Sequence, residues 1–118
     1  MKPSLNLCFF WHMHQPDYRN RDGVMSMPWV FLHAIKDYYE MPWLLTKFAT
    51  IKATFNLTAT LMEQLELYRD PLKYDYFLSL WEQHPSSLDL SSRQWLIKLC
   101  KSSQYETMVR PIPHYEYL

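Results

Sequence analysis

An apolar run that ends in two histidines and a proline is the feature that most constrains this fold. Residues 5–11 read Leu-Asn-Leu-Cys-Phe-Phe-Trp, and residues 12–16 continue as His-Met-His-Gln-Pro. The run has the length of a strand that is buried on both faces. Because Pro16 cannot donate to a strand ladder, the strand must end before it. In parallel α/β sheets the C-terminal strand ends carry the chemistry, so we expect His12 and His14 to line a polar substrate pocket.

The composition describes a folded chain of at most one domain. Of its 118 residues, 48% are hydrophobic and 20% are charged, which is enough apolar material for a core. Twelve basic residues balance twelve acidic ones without a run of one sign, so we expect neither nucleic acid nor a membrane as partner. The single glycine excludes a glycine-rich phosphate loop.

The cysteines and the N-terminus indicate a cytoplasmic protein. Cys8 and Cys100 are far apart and unpatterned, and we interpret both as reduced, with Cys8 packed as a small hydrophobe in the first strand. The N-terminus lacks the apolar core and cleavage site of a signal peptide.

The first half of the chain predicts a β-α-β unit with parallel strands and a right-handed crossover. A polar loop at 12–27 contains Tyr18, which we expect to be exposed. A helix is expected from Trp29 to about Glu40, and Pro42 should kink or break it. The second strand is expected at 52–57, because Ala, Phe and Leu alternate there with polar residues.

The second half of the chain predicts helices only. Thr60 and Glu63 have the spacing of a capping box, and Ser91 and Gln94 repeat it. Two parallel strands cannot cover both faces of their sheet, and an α/β barrel needs about 200 residues or more. We therefore interpret residues 1–118 as the opening of a larger protein rather than a finished fold.

The histidine pair has three interpretations. On a strand, His12 and His14 face the same side. They can bind zinc if a third ligand is near, hydrogen-bond sugar hydroxyls as neutral imidazoles, or simply be satisfied polar groups at a strand end. No carboxylate or further histidine is clearly positioned as a third ligand, so we expect no metal and no cofactor.

Other candidate site residues surround this pair. Trp11, Tyr18 and Trp29 can stack on apolar sugar faces, although packing in the core is the favoured role for Trp29. For Glu63 the capping role is favoured over substrate contact. The chain shows no convincing pair of catalytic carboxylates and no nucleophile elbow.

Two segments resemble a known enzyme family. The residues Trp-His-Met-His-Gln-Pro at 11–16 and Met-Pro-Trp-Val-Phe-Leu-His-Ala-Ile-Lys-Asp-Tyr-Tyr at 27–39 resemble the opening of glycoside hydrolase family 57. The family comprises α-amylase-type and 4-α-glucanotransferase enzymes that act on α-glucans. The similarity extends more loosely over 56–68, and residues 110–117 resemble a segment of the amylase-like members.

This resemblance implies an α/β fold in which residues 1–118 form the N-terminal part of an incomplete (β/α)7 barrel, with parallel strands and crossover helices. It implies a retaining mechanism with a glutamate nucleophile and an aspartate acid/base about 5 Å apart. Both are expected beyond residue 118, so we expect this stretch alone to be inactive.

The resemblance also assigns roles within the chain. His14 matches the family histidine near the scissile bond, and His12 and Gln15 belong to the same motif. Glu63 is a possible substrate-side carboxylate. The expected partners are an α-glucan or oligosaccharide and the rest of the barrel. The alternatives are a metal-dependent carbohydrate deacetylase on a related barrel, which needs an Asp besides two His, and a non-catalytic glucan-binding module.

Overall fold

The structure, a computed structural model, describes residues 5–116 and the side chains of residues 5–114. It divides into two compact units, the first ending at Ser79 and the second beginning at Leu80. The helices and strands follow one another as β1 (Phe9–Met13), α1 (Trp29–His33), a π-turn (Ala34–Tyr38), α2 (Tyr39–Leu45), β2 (Ala53–Leu57), α3 (Ala59–Leu67), α4 (Pro71–Tyr74), α5 (Tyr76–Trp81), a 3₁₀ turn (Pro85–Ser87), α6 (Leu90–Cys100), a second π-turn (Tyr105–Val109) and α7 (Pro113–Glu116).

The first unit contains a parallel two-stranded sheet, as the β-α-β pattern predicts. Phe9 pairs with Ala53 at one end of the ladder and Met13 pairs with Leu57 at the other. The second strand lies within its predicted range. The first strand begins at Phe9 rather than at Leu5, because β1 pairs only with the five residues of β2. His12 therefore lies inside the strand, and His14 follows its end.

The first strand is not buried on both faces, which corrects our expectation. Phe9, Phe10 and Trp11 are 45%, 61% and 47% exposed, and Cys8 is exposed as well. Burial on both faces requires a layer of packed elements on each side of the sheet. In the described residues, the apolar core packs against only one face of this sheet.

The core of the first unit joins the sheet to two helices. Its buried members are Met13 on β1, Met25 in the loop, Val30 on α1 and Leu61 on α3. Further apolar side chains pack on this cluster while remaining partly exposed, and they are Tyr18, Tyr38, Met41, Phe55, Leu65, Leu67 and Tyr68. Neighbouring residues of a strand point to opposite faces of the sheet. Since Met13 points into this core, the adjacent His12 points away from it.

Pro42 does not break the first helix, which was one of the two outcomes predicted. It lies inside α2, which continues to Leu45, and a π-turn over Ala34–Tyr38 precedes α2. Pro42 has no N–H to donate to the carbonyl of Tyr38, which is the last residue of the π-turn. The π-helical hydrogen-bond spacing ends at this residue, and the helix continues past the proline with α-helical spacing.

Neither predicted capping box forms. The hydroxyl of Thr58 accepts from the N–H of Leu61 at 3.3 Å, so α3 begins earlier than a box at Thr60 would require. The carboxylate of Asp89 accepts from the N–H of Ser92 at 2.7 Å and caps α6. Both capping residues have extended backbones, which is the conformation typical of this position.

The loop that follows β1 is folded back on itself. Asn20 and Gly23 form a turn in which Gly23 has a positive φ of 78°, a conformation that glycine adopts without strain. The N–H of Met25 donates to the carbonyl of Tyr74 at 2.7 Å, and the N–H of Tyr76 donates to the carbonyl of Met25 at 3.1 Å. Met25 is fully buried. The loop is therefore attached to the segment between α4 and α5.

In the second unit, Leu80 and Leu88 are the buried apolar side chains of the described residues. The guanidinium of Arg93 donates to the carbonyl of Leu88 at 2.9 Å and ties α6 to the segment before it. Among the described residues, none of the helices combines the length and the apolar character needed to cross a bilayer.

Replacing Leu61 by alanine is expected to destabilise the chain by about 2–5 kcal/mol, because it leaves a cavity where α3 meets the core. Met62→Ala is the matched control, since Met62 is the next residue of the same helix and is exposed. Urea unfolding followed by circular dichroism measures both changes. Equal losses in the two variants would contradict the assignment of Leu61 to the core.

Candidate functional site

The two histidines lie on the sheet face that is opposite to the apolar core. His12 pairs with Asn56 in the ladder, and the amide nitrogen of Asn56 lies 3.3 Å from Nδ1 of His12. Beyond the strand ends, the hydroxyl of Thr58 lies 3.4 Å from Nδ1 of His14. These four side chains bring the polar ends of β1 and β2 together, and both histidines are exposed.

The imidazole rings lie side by side. Their centroids are 6.0 Å apart and their planes differ by 12°. The side-chain nitrogen of Asn56 can only donate, so Nδ1 of His12 accepts and a neutral ring carries its proton on Nε2. His12 thus presents an Nε2–H donor, and no protein group among the described residues accepts a hydrogen bond from it.

Gln15 is held between two tyrosines. Its side-chain nitrogen donates to the hydroxyl of Tyr38 at 3.0 Å, and its oxygen accepts from the hydroxyl of Tyr18 at 3.2 Å. Tyr18 is half-buried rather than exposed as predicted, and burial, with Tyr38 nearby, raises its pKa. The phenol therefore stays protonated and remains a donor at neutral pH. Gln15 joins the loop after β1 to the π-turn.

Glu63 is paired with an arginine of the loop. Arg19 donates to Asp17 at 2.7 Å and to Glu63 at 3.1 Å. The side-chain hydrogen bond from Arg19 lowers the pKa of Asp17 from 3.8 to about 2. Hydrogen bonds to Asp17 and Glu63 raise the pKa of the guanidinium in return. Glu63 is exposed and does not cap its helix, so the capping role that we favoured is wrong.

The structure does not bring the two tryptophans to the histidines. Trp11 pairs with Phe55 and, as the neighbour of His12 on one strand, lies on the other face of the sheet. Trp29 begins α1 and is half-buried beside Val30. Substrate contacts of these two residues stay predictions.

In the described part of the chain, no three His, Cys, Asp or Glu side chains are grouped so that they could hold a metal ion. The nearest side-chain partners of the two histidines are an amide and a hydroxyl, Asn56 and Thr58. These neutral groups suit hydrogen bonding to neutral ligands better than coordination of a divalent cation.

Sequence reasoning missed Tyr38, Asn56 and Gln64 as site residues. Gln64 is fully buried on α3 and hydrogen-bonds the backbone of the loop after β1. Gln64 could have been recognised from the sequence, because it follows Leu61 by three residues and therefore lies on the same apolar helix face. The pairing of Asn56 with His12 follows once the register of the strands is known.

The parallel β-α-β unit with polar strand ends defines an α/β protein. The chain belongs to glycosyl hydrolase family 57, because the model of that family matches residues 8–114. This confirms the resemblance carried by the histidine motif, and membership implies a glycosidase-type enzyme. Neither the curated proteins nor the solved structures provide a match to this chain.

The Asp17 carboxyl is expected to titrate near pH 2 instead of near its ordinary 3.8. Because its pKa is lowered in the folded chain, the stability that Asp17 contributes is present above about pH 4 and is lost as the pH falls towards 2. Arg19→Met should return the midpoint towards 3.8, whereas Lys47→Met should not move it. A carboxyl ¹³C titration by NMR measures the midpoint, and an unchanged value in Arg19→Met would contradict the pairing.

Proposed function

We propose that this chain is the N-terminal part of an incomplete (β/α)7 barrel that acts on α-glucans, in which His12 and His14 bind sugar hydroxyls beside the reacting bond. The observation that carries the proposal is the parallel pair of exposed imidazoles at the ends of paired parallel strands, in a chain of family 57. Strand ends of this kind are where α/β barrels bind their substrates.

The chemistry of the pair favours a neutral, hydroxyl-rich ligand. Each imidazole has an amide or hydroxyl near Nδ1 and keeps its other nitrogen for a ligand. Neighbouring hydroxyls of a sugar both donate and accept, so two parallel rings about 6 Å apart can bind adjacent hydroxyls. The opposite sheet face is apolar and packs on helices, which leaves the histidine face for the substrate.

The proposal also assigns a role to each of the other candidate site residues. We assign to Gln15 and Tyr18 the shaping of the pocket wall, because their polar atoms already bond one another and Tyr38. Glu63 would contact the substrate while it stays paired with Arg19. Trp11 and Trp29 would contact sugar units outside the subsite of the histidines.

The reaction that we propose is the retaining one. A glutamate attacks the anomeric carbon while an aspartate protonates the departing glycosidic oxygen, and water or a second sugar hydroxyl then displaces the glutamate. Both carboxyl groups are proposed to lie beyond residue 118. The histidines of this chain would hold the sugar that becomes covalently attached, and no step requires a metal or an organic cofactor.

His14→Ala is expected to weaken binding of maltoheptaose at least tenfold, which corresponds to the loss of about 1.4 kcal/mol from hydrogen bonding. His12→Ala should weaken it similarly. His84→Ala is the control, because His84 is exposed and belongs to the second unit. Isothermal titration calorimetry on the 118-residue chain measures the three affinities.

Two results of this titration would overturn the proposal. Unchanged affinity in both His12→Ala and His14→Ala would remove the histidines from the sugar site. Tight binding of Zn²⁺ that is abolished by His14→Ala would favour the deacetylase alternative. Maltoheptaose binding by the chain without turnover would agree with the proposed position of the carboxyl groups.

A further inference from the structure

We propose that Gln64 is a positioning residue, which fixes the backbone directly after Gln15 and so holds His14 and Gln15 in the geometry that binds sugar. This inference rests on the proposed function of the histidines. It assigns to α3 a role in the site that neither the histidine motif nor membership of the family provides.

The side chain of Gln64 uses almost all of its hydrogen-bonding capacity. Its oxygen accepts from the N–H of Tyr18 at 2.9 Å. Its nitrogen donates to the carbonyl of Pro16 at 3.0 Å and to the carbonyl of Thr60 at 3.2 Å. Gln64 is fully buried, so these three bonds are shielded from water.

Core packing does not explain a glutamine at this position. Gln64 lies on the helix face that contains Leu61 and Leu65, where an apolar side chain would pack without any polar group to satisfy. A buried amide without partners costs about 1–3 kcal/mol per unsatisfied group. The loop after β1 explains the glutamine, because the carboxamide supplies an acceptor for the N–H of Tyr18 and a donor for the carbonyl of Pro16.

The same helix holds the loop on both sides of Gln15. Thr58, which caps α3, lies beside His14, and Gln64 binds the backbone of Pro16 and Tyr18. Pro16 itself is exposed and cannot donate a backbone hydrogen bond. Without Gln64, the carbonyl of Pro16 and the N–H of Tyr18 would lose these bonds, and the backbone that follows His14 would be held less firmly.

The first experiment needs only the wild-type chain. Amide hydrogen exchange measured by NMR should show strong protection of the Tyr18 N–H, which donates to a buried oxygen. The Arg19 N–H is the internal control, because it donates to the exposed carboxylate of Asp17 and should exchange at least tenfold faster. Equal exchange at Tyr18 and Arg19 would overturn the proposal.

The second experiment compares Gln64→Met and Gln64→Glu with the control Gln94→Met, in which an exposed glutamine of α6 is replaced. Gln64→Met removes all three bonds, whereas Gln64→Glu keeps the acceptor for Tyr18 and places an oxygen against the carbonyls of Pro16 and Thr60. We expect the imidazole NMR signals of His14 to shift in both variants. We expect the affinity for maltoheptaose to fall at least tenfold in both.

A purely structural role would give a different result. It would lower the unfolding midpoint and leave the His14 signals and the sugar affinity of the folded variants as in wild type, which would overturn the proposal. If both variants fail to fold, the exchange of the Tyr18 amide in the wild-type chain decides whether the proposal stands. If wild type binds no maltoheptaose, the proposed function fails, while the His14 signals and amide exchange still test the position that Gln64 imposes.

Discussion

The parallel pairing of β1 with β2 is the constraint on which the rest of the first unit depends. Its register places Met13 opposite Leu57 and His12 opposite Asn56. A slip of one residue would turn His12 towards the helices and Met13 towards the open face, because the side-chain period of a strand is two residues. One ladder of backbone hydrogen bonds therefore determines both which side chains form the core and which form the candidate site.

The sequence allowed more to be predicted about β2 than about β1, for a physical reason. In β2 the alternation of apolar and polar residues is the signature of a half-buried strand, and the observed bounds fall within the predicted ones. Before β1 the apolar run has no period, so hydrophobicity alone does not indicate where pairing begins. A break at Pro42, one of the two outcomes predicted, does not occur, because a local rule about proline does not decide whether the surrounding helix continues.

Only those features of the candidate site that depend on neighbouring residues were predictable from the sequence. That His12 and His14 share one side follows from their spacing on a strand. The contacts of His12 with Asn56, of His14 with Thr58 and of Gln64 with Pro16 join residues more than forty positions apart, and they depend on the register and on how α3 packs. A polar residue on an apolar helix face, such as Gln64, is the one long-range signal that a sequence displays directly.

The loop after β1 is held by forces of unequal strength. The ion pairs of Arg19 with Asp17 and Glu63 lie at the surface, where solvent screens the charges and such pairs contribute little to stability. The bonds of Gln64 are buried, and breaking them would leave polar groups without water. The shape of the loop therefore depends on α3 far more than on its own charges. Because Leu61 of the same helix lies in the core, any change that loosens the packing of α3 also disturbs the backbone beside the histidines.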